Sequence, residues 1–452
     1  MVSPSRTSFS LVCLCDRDHR YSFNALLGSL EGEGLLGGAL EVELVGDERR
    51  LLEACQRLEG ERRPFGVAVS AFSTEAFDRY PLISSLRAGF KWAVVMVGGP
   101  HATALPESVL RAGAHLAMVG EGERSFPWAL RGLWEALNLE PVGSADELVL
   151  KAFGGAREVV GGELAGEAID LDAHLPVSFS LGRFGPIEIT RGCPYGCAFC
   201  QTSYMFGRRV RHRSVEFICD LVSRMASRGL RDFRFITPNA LSYGSSDGVR
   251  VNLEALERLL SSLREACKGG RIFFGSFPSE VRPDQISPEV LALLRRFADN
   301  RRLVMGAQSG SARMLARCRR GHTADAVVEA VALARDFGFE VWVDFIFGLP
   351  GEEEDDARET LRLMRLLSSM GAKLHAHAFM PLPQTPFERE SLSPIPPALL
   401  REVDLLTSRG MAFGQWRRQM ELSRKLSKFL KEENCPSVGV RVEAVAPGPR
   451  PY

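Results

Sequence analysis

Cys193, Cys197 and Cys200, in the run RGCPYGCAFC, constrain this 452-residue chain more than any other feature. Their C-x3-C-x2-C spacing closes three thiols into one loop. Three thiolates placed this way can hold three corners of an iron–sulfur cube. A [4Fe–4S] cluster ordinarily takes four cysteine ligands, so one iron is left open to something else. The spacing alone leaves two alternatives, a three-cysteine zinc site or three unrelated thiols.

The rest of the composition narrows the class. A chain of this length predicts two or three domains. With 45% hydrophobic and 25% charged residues it reads as a soluble globular protein. Lys and Arg total 56 and so do Asp and Glu, and this zero net charge argues against a broad nucleic-acid surface. No apolar run is long enough to span a bilayer. The opening stretch, MVSPSRTSFSLVCLCDRDHR, lacks the pattern of a signal peptide and reads as a first strand. Apart from the triplet the ten cysteines are scattered, which predicts a reducing, cytoplasmic setting. Cys13 and Cys15 alternate along the first strand as small core or pocket residues.

The fold class expected is α/β. Residues 1–140 alternate apolar runs with helical segments, with strands expected at Phe9–Cys15, Leu40–Val45, Gly66–Ala71, Ala93–Gly98 and His115–Val119. That pattern predicts a doubly wound, Rossmann-like parallel sheet. Residues 141–183, rich in Gly, Ala and Glu, read as a connector with short strands. Residues 184–390 hold six strand-like runs: Ile187–Thr190, Asp232–Thr237, Arg271–Ser276, Arg302–Gln308, Glu340–Phe347 and Lys373–Met380. Six βα units are too few for a closed eight-stranded barrel. The cysteine loop follows the first of these strands, at the C-terminal rim where such barrels build active sites. Residues 391–452 read as a helical extension, with Phe413–Leu430 packed on the barrel and a Pro- and Gly-rich tail, VEAVAPGPRPY.

The cysteine spacing, with Phe199 just before the last thiol, resembles the signature of the radical S-adenosylmethionine (radical SAM) superfamily. The resemblance implies a partial (βα)6 barrel, a [4Fe–4S] cluster on Cys193, Cys197 and Cys200, and SAM chelating the open iron. Gln308 and Ser309, ending the fourth barrel strand, resemble the stretch that contacts the SAM ribose and carboxylate. The run DFIFGLPGE, with Asp344 and Phe347, resembles the adenine-flanking motif. Thr237 and Asn239 end the second strand, and Ser276 and Glu280 follow the third. Polar residues at successive strand ends favour one shared pocket.

A second resemblance lies upstream. VVMVGGPHATALPE followed by VGEGERSF is similar to the cobalamin-binding domain found before radical SAM barrels. Gly98, Gly99, Pro100, His101, Gly120, Glu121, Gly122 and Glu123 carry it, and Ser70 and Thr74 are expected to line the same crevice. Glycines after a parallel strand let a ligand approach the backbone. His101 is expected to shape the loop and not to ligate cobalt. Domains that supply an axial histidine resemble D-x-H-x-x-G. Here Asp16 and Asp18 stand three and one before His19, with no glycine in place.

Together the two resemblances imply a cobalamin-dependent radical SAM C-methyltransferase. A 5'-deoxyadenosyl radical would remove hydrogen from an unactivated carbon, and methylcobalamin would supply the methyl group. Tyr195, Tyr204 and Tyr243, in or near the rim loops, are candidate catalytic residues, with ordinary packing as the alternative. Arg191, Arg208 and Arg209 flank the cysteine loop. The whole-length pattern, including FPSEVRP and ITPNALSYG, is similar to an archaeal-type branch. One member class there methylates a glutamine Cα in methyl-coenzyme M reductase. The partners expected are a peptide or protein substrate, or a small molecule, and an electron donor such as a ferredoxin or flavodoxin. Methylation of a small molecule, lipid or pigment, or a non-methylating reaction, are the alternatives. Methylthiolation calls for a second cluster, and Cys13, Cys15 and Cys55 form no clustered motif.

Overall fold

The computed structural model describes residues 7–155, 157–161 and 168–432. The tail VEAVAPGPRPY lies outside the described residues. The chain divides into two units. As far as described, the first is built from residues 7–15 and 37–169, and the second from residues 16–36 and 170–432.

The first unit is a parallel sheet of β1 (Phe9–Leu14), β2 (Leu40–Val45), β3 (Phe65–Ser70), β4 (Ala93–Gly98), β5 (Leu116–Met118) and β6 (Glu158–Val160). The strand order is β2-β1-β3-β4-β5-β6. β1, β3 and β4 are predominantly apolar and buried almost throughout, as strands of a parallel sheet covered on both faces are. The order reverses beside β1, which sets a crevice at the C-terminal strand ends. Helix Glu48–Glu59 starts where the Asp47 side chain accepts from Arg50 N (2.9 Å), and buries Leu51, Ala54, Cys55 and Leu58. A cap of this kind contributes about 1 kcal/mol.

Two boundaries differ from those the sequence suggests. Helix Ala145–Phe153 and β6 fall inside the expected connector, yet β6 pairs in parallel with β5 and completes this sheet. Residues 16–36, expected in the first domain, belong to the second unit. There Asn24 Nδ2 donates to Phe184 O (3.1 Å) and Ser178 Oγ donates to Glu31 Oε2 (2.7 Å).

The second unit carries six parallel barrel strands: β7 (Ile187–Glu188), β10 (Asp232–Ile236), β11 (Arg271–Phe273), β12 (Arg302–Gln308), β13 (Glu340–Phe347) and β14 (Lys373–Ala378). They run as β11-β10-β7 and β12-β13-β14, joined by a parallel bridge between Val281 and Met305. Helices between them are capped by Ser214, Asn252, Ser287 and Thr323 and turn leucine- and valine-rich stripes onto the strands. A short antiparallel pair, β8 (Thr190–Arg191) and β9 (Arg211–His212), brackets the cysteine loop. The C-terminal part is more than one helix. Pro397–Ser408 and Trp416–Glu432 are helical, and between them β15 (Ala412–Phe413) extends the sheet beside β14.

Candidate active site

The cysteine loop leaves β8 through Gly192, whose φ is +87°. A Cβ there would overlap Arg209 O, so only glycine turns the chain at this point. Beyond it the loop is tied to itself. Ser203 Oγ donates to Cys193 O (2.7 Å), Gly196 N donates to Ser203 Oγ (3.2 Å), and Tyr204 Oη donates to Gly196 O (3.0 Å). The Cys200 thiol lies 3.3 Å from Thr202 Oγ1. All three cysteines are free. Burial raises the Cys193 and Cys200 thiols above their ordinary range, so a cation must be supplied to hold them as thiolates.

Arg320 supplies one positive charge to this loop. Its Nη1 is 3.8 Å from Cys197 Sγ, its Nη2 donates to Gly306 O (3.1 Å), and its Nε donates to His322 Nε2 (3.0 Å). Burial and the neighbouring arginines push His322 down to about 4, so it stays a neutral acceptor. Arg282 stacks over the Tyr195 ring at 3.5 Å and is itself held by Asp284 and by Arg320 O.

The three expected tyrosines part company here. Tyr243 is buried in the barrel core and donates its hydroxyl to Arg213 O (2.7 Å). Tyr204 spends its hydroxyl on the loop backbone. Tyr195, between the first two cysteines, keeps a buried hydroxyl without a hydrogen-bond partner. Arg191 pairs with Glu188 through Nε (2.9 Å) and Nη2 (2.5 Å), which makes it part of the strand-end framework.

Among the residues expected to meet SAM, Asn239 Oδ1 and Ser276 Oγ are buried acceptors with no partner, the condition of groups awaiting a ligand. Thr237 Oγ1 holds the same turn through Asn239 O (2.9 Å), and Ala240 N donates to Glu280 O (2.9 Å), so the loops after β10 and β11 touch. The Glu280 carboxyl is raised by desolvation and by the negative Asp344. Gln308 sits at φ +70° where the β12–β13 register slips, a strained backbone of the kind found at functional positions. Ser309 turns to Thr360 Oγ1 (3.2 Å) and Ser311 N (3.1 Å).

One residue of the DFIFGLPGE run departs from the expected pocket. Phe347 is fully buried in the core between sheet and helices. It lies three residues from Asp344 on one strand, so the two side chains leave opposite faces. Asp344 accepts at Oδ1 from His375 Nδ1 (2.9 Å), with His377 Nε2 3.9 Å away. His375 and His377 were not singled out from sequence, although the alternation KLHAHA on β14 places both on one face.

In the first unit the expected residues gather at the C-terminal ends of β3, β4 and β5. Gly99 (φ +94°) passes so close to β3 that a Cβ would sit 2.8 Å from Ser70 Oγ and 3.0 Å from Ala71 O. Gly120 N donates to Thr103 Oγ1 (3.2 Å), and Glu121 Oε2 accepts from Ile169 N (3.1 Å). Thr74, Gly98, Gly99, Pro100, Gly120, Glu121 and Gly122 are half-buried and Glu123 is buried, which leaves a glycine-rich rim for a ligand. His101 is fully buried, with Nδ1 3.0 Å from Ser73 Oγ and Nε2 2.7 Å from Tyr80 Oη. Both ring nitrogens are engaged within the unit, and burial pushes the imidazole down to about 4. The rim fits a corrin approached by backbone, and it offers no His101 nitrogen to cobalt.

Residues 187–364 match the model of the Radical SAM superfamily, so the second unit contains a radical SAM domain. The tRNA-2-methylthio-N(6)-dimethylallyladenosine synthase of Geobacter metallireducens is 31% identical over 246 residues, 53% of this chain and 52% of that protein. The chain thus spans about half the length of this curated relative. In fold, the chain resembles the radical S-adenosylmethionine methyltransferase TsrM from Kitasatospora setae, solved with cobalamin and a [4Fe-4S] cluster bound. The TM-score is 0.62 at 17% identity, over 84% of this chain and 77% of that one. It also resembles the cobalamin-dependent S-adenosylmethionine radical enzyme OxsB, solved with aqua-cobalamin bound. There the TM-score is 0.54 at 19% identity, over 79% of this chain and 52% of that one. No helix among the described residues is long and apolar enough to cross a membrane.

Proposed function

We propose that this chain is an enzyme, a cobalamin-dependent radical SAM C-methyltransferase acting on an unactivated sp3 carbon. The observation that carries the reading is the loop of three free cysteines, fixed at the rim of a partial barrel and faced by Arg320. The fold likeness to two S-adenosylmethionine radical enzymes solved with a cobalamin bound supports the second cofactor.

Cys193, Cys197 and Cys200 hold the [4Fe–4S] cluster, and Asn239, Ser276, Glu280 and Gln308 line the SAM side. The rim Gly98–Gly99–Pro100 and Gly120–Glu121–Gly122 holds cobalamin, with His101 bracing the loop from behind. When bound, these groups supply hydrogen abstraction from carbon and a methyl group to replace the hydrogen. The protein orients the reacting groups and excludes water. Arg320 places positive charge beside one cluster thiolate, and Arg282 clamps Tyr195 against the loop. Of the three tyrosines, Tyr195 is the one with a hydroxyl left to act.

The leading substrate candidate is a protein residue, the glutamine Cα of methyl-coenzyme M reductase, on the resemblance of FPSEVRP and ITPNALSYG to that branch. A ferredoxin or flavodoxin serves as electron donor. Methylthiolation, the reaction named for the curated relative, is disfavoured by the cysteines. Cys13 and Cys55 are sealed in the core of the first unit, where burial raises both thiols.

The test is an anaerobic assay with reconstituted cluster, methylcobalamin, reductant and deuteriomethyl SAM, supplied with a peptide covering that glutamine. A labelled methyl on its Cα supports the whole reading. Formation of 5'-deoxyadenosine with an unchanged peptide removes the substrate, and a methylthio mass shift replaces the reaction.

A further inference from the structure

Asp344, on β13, pairs in register with His375 on β14, and His377 follows two residues on along the same face. Three atoms converge there. Asp344 Oδ1 is 2.9 Å from His375 Nδ1 and 3.9 Å from His377 Nε2, and the two nitrogens are 3.1 Å apart. His375 Nδ1 faces both the carboxylate oxygen and the second imidazole. As a donor it serves Asp344, and His377 Nε2 then faces the same carboxylate from 3.9 Å. As an acceptor it serves His377 and turns a lone pair on the carboxylate. A cation satisfies all three at once. The point equidistant from the three atoms lies about 2.0 Å from each, within the range of zinc–imidazole and zinc–carboxylate bonds.

The surroundings fit a built site. The His375 ring is stacked on Phe413 at 4.4 Å with 12° between planes, so its orientation is fixed. Gln419 flanks His377, with Nε2 3.4 Å from Nδ1. The Asp344 side chain is 10% exposed while His375 and His377 keep 31% and 29%, so one side stays open to further ligands.

We propose that Asp344, His375 and His377 bind one divalent transition metal ion, zinc or ferrous iron, separate from the cysteine loop. Two imidazoles and one carboxylate on a single face suit such an ion and leave coordination positions for water or an oxygen group of a substrate. This assigns Asp344 to the ion in place of the adenosine contact expected from sequence. The proposal rests on the geometry of the second unit and not on the methyltransferase reading.

The test uses the full chain loaded anaerobically with its iron–sulfur cluster, then titrated with zinc and read by metal content and zinc K-edge absorption. The expected result is one equivalent of zinc with imidazole and oxygen neighbours at about 2.0–2.2 Å and no sulfur shell. His377→Gln should weaken binding by at least about tenfold while keeping the cluster iron, which shows that the barrel is intact. A second variant, with Cys193, Cys197 and Cys200 all changed to Ala, should bind zinc as before whether or not the cluster reading stands. Failure of the wild type to retain zinc, a sulfur shell, or equal affinity in His377→Gln would overturn the proposal.

Discussion

Arg320 Nη1 lies 3.8 Å from Cys197 Sγ, and the same guanidinium is anchored on its other edges by Gly306 O and His322 Nε2. A fixed positive charge beside a cluster thiolate favours the reduced cluster, because reduction adds negative charge there. Arg320→Met should therefore lower the cluster reduction potential, by an amount on the order of tens of millivolts. Arg320→Lys should fall between that variant and the wild type, since it keeps the charge and loses the planar anchorage. An anaerobic redox titration followed by electron paramagnetic resonance reads both. An unchanged potential in Arg320→Met would leave the arginine a purely structural role.

Tyr243 is expected to matter for stability. Its hydroxyl serves the Arg213 carbonyl, and Arg213 in turn donates Nε to Glu188 O (2.8 Å) and Nη1 to His174 O (2.9 Å). Tyr243→Phe leaves a buried carbonyl short of one donor and should cost about 1–2 kcal/mol. Denaturant unfolding of the cluster-loaded protein measures it.

The two engaged nitrogens of His101 define the cobalamin state. Cob(II)alamin bound to the chain should show no axial-nitrogen splitting in its paramagnetic resonance spectrum. His101→Asn should weaken retention of cobalamin by loosening the loop without changing the line shape. A nitrogen splitting in the wild type that disappears in the variant would make His101 a ligand after all.

Glu352 makes stability depend on pH. Its Oε2 accepts from Gly348 N (2.7 Å), and its Oε1 is buried without a partner. Burial first, and Asp356 second, push its carboxyl up to about 7. The folded state therefore favours the protonated form. Its contribution is fully present below the ordinary carboxylate range and is lost as pH rises through about 7. Glu352→Gln keeps an acceptor for Gly348 N and removes the charge. The variant should match the wild type near pH 5 and be more stable near pH 8, by about 1–3 kcal/mol. Thermal unfolding at the two pH values checks the sign.

What the sequence made legible was local. The cysteine spacing, the glycines after β4 and β5, and the largely apolar strands depend on residues a few positions apart, and those features stand in the structure. Elements decided by distant partners were harder to see. β6 and β15 have three and two residues, too few for a period, and exist because β5 and β14 offer free edges. Helix Arg20–Gly32 follows β1 in sequence but belongs with residues 170–185 through Asn24 and Glu31. Strand parity is a rule that would have separated Phe347 from Asp344, and would have joined His375 with His377. The convergence of Asp344 with those histidines depends on the β13–β14 register, which one strand alone does not carry.

The most direct test of the central claim needs no substrate. The cluster- and cobalamin-loaded chain is incubated anaerobically with reductant and deuteriomethyl SAM, and its small-molecule products are read by mass spectrometry. The account predicts 5'-deoxyadenosine together with cobalamin carrying the deuterated methyl group, and loss of the 5'-deoxyadenosine in Cys200→Ala. Cobalamin that stays unlabelled, with no 5'-deoxyadenosine from a chain holding its full complement of iron, would contradict it.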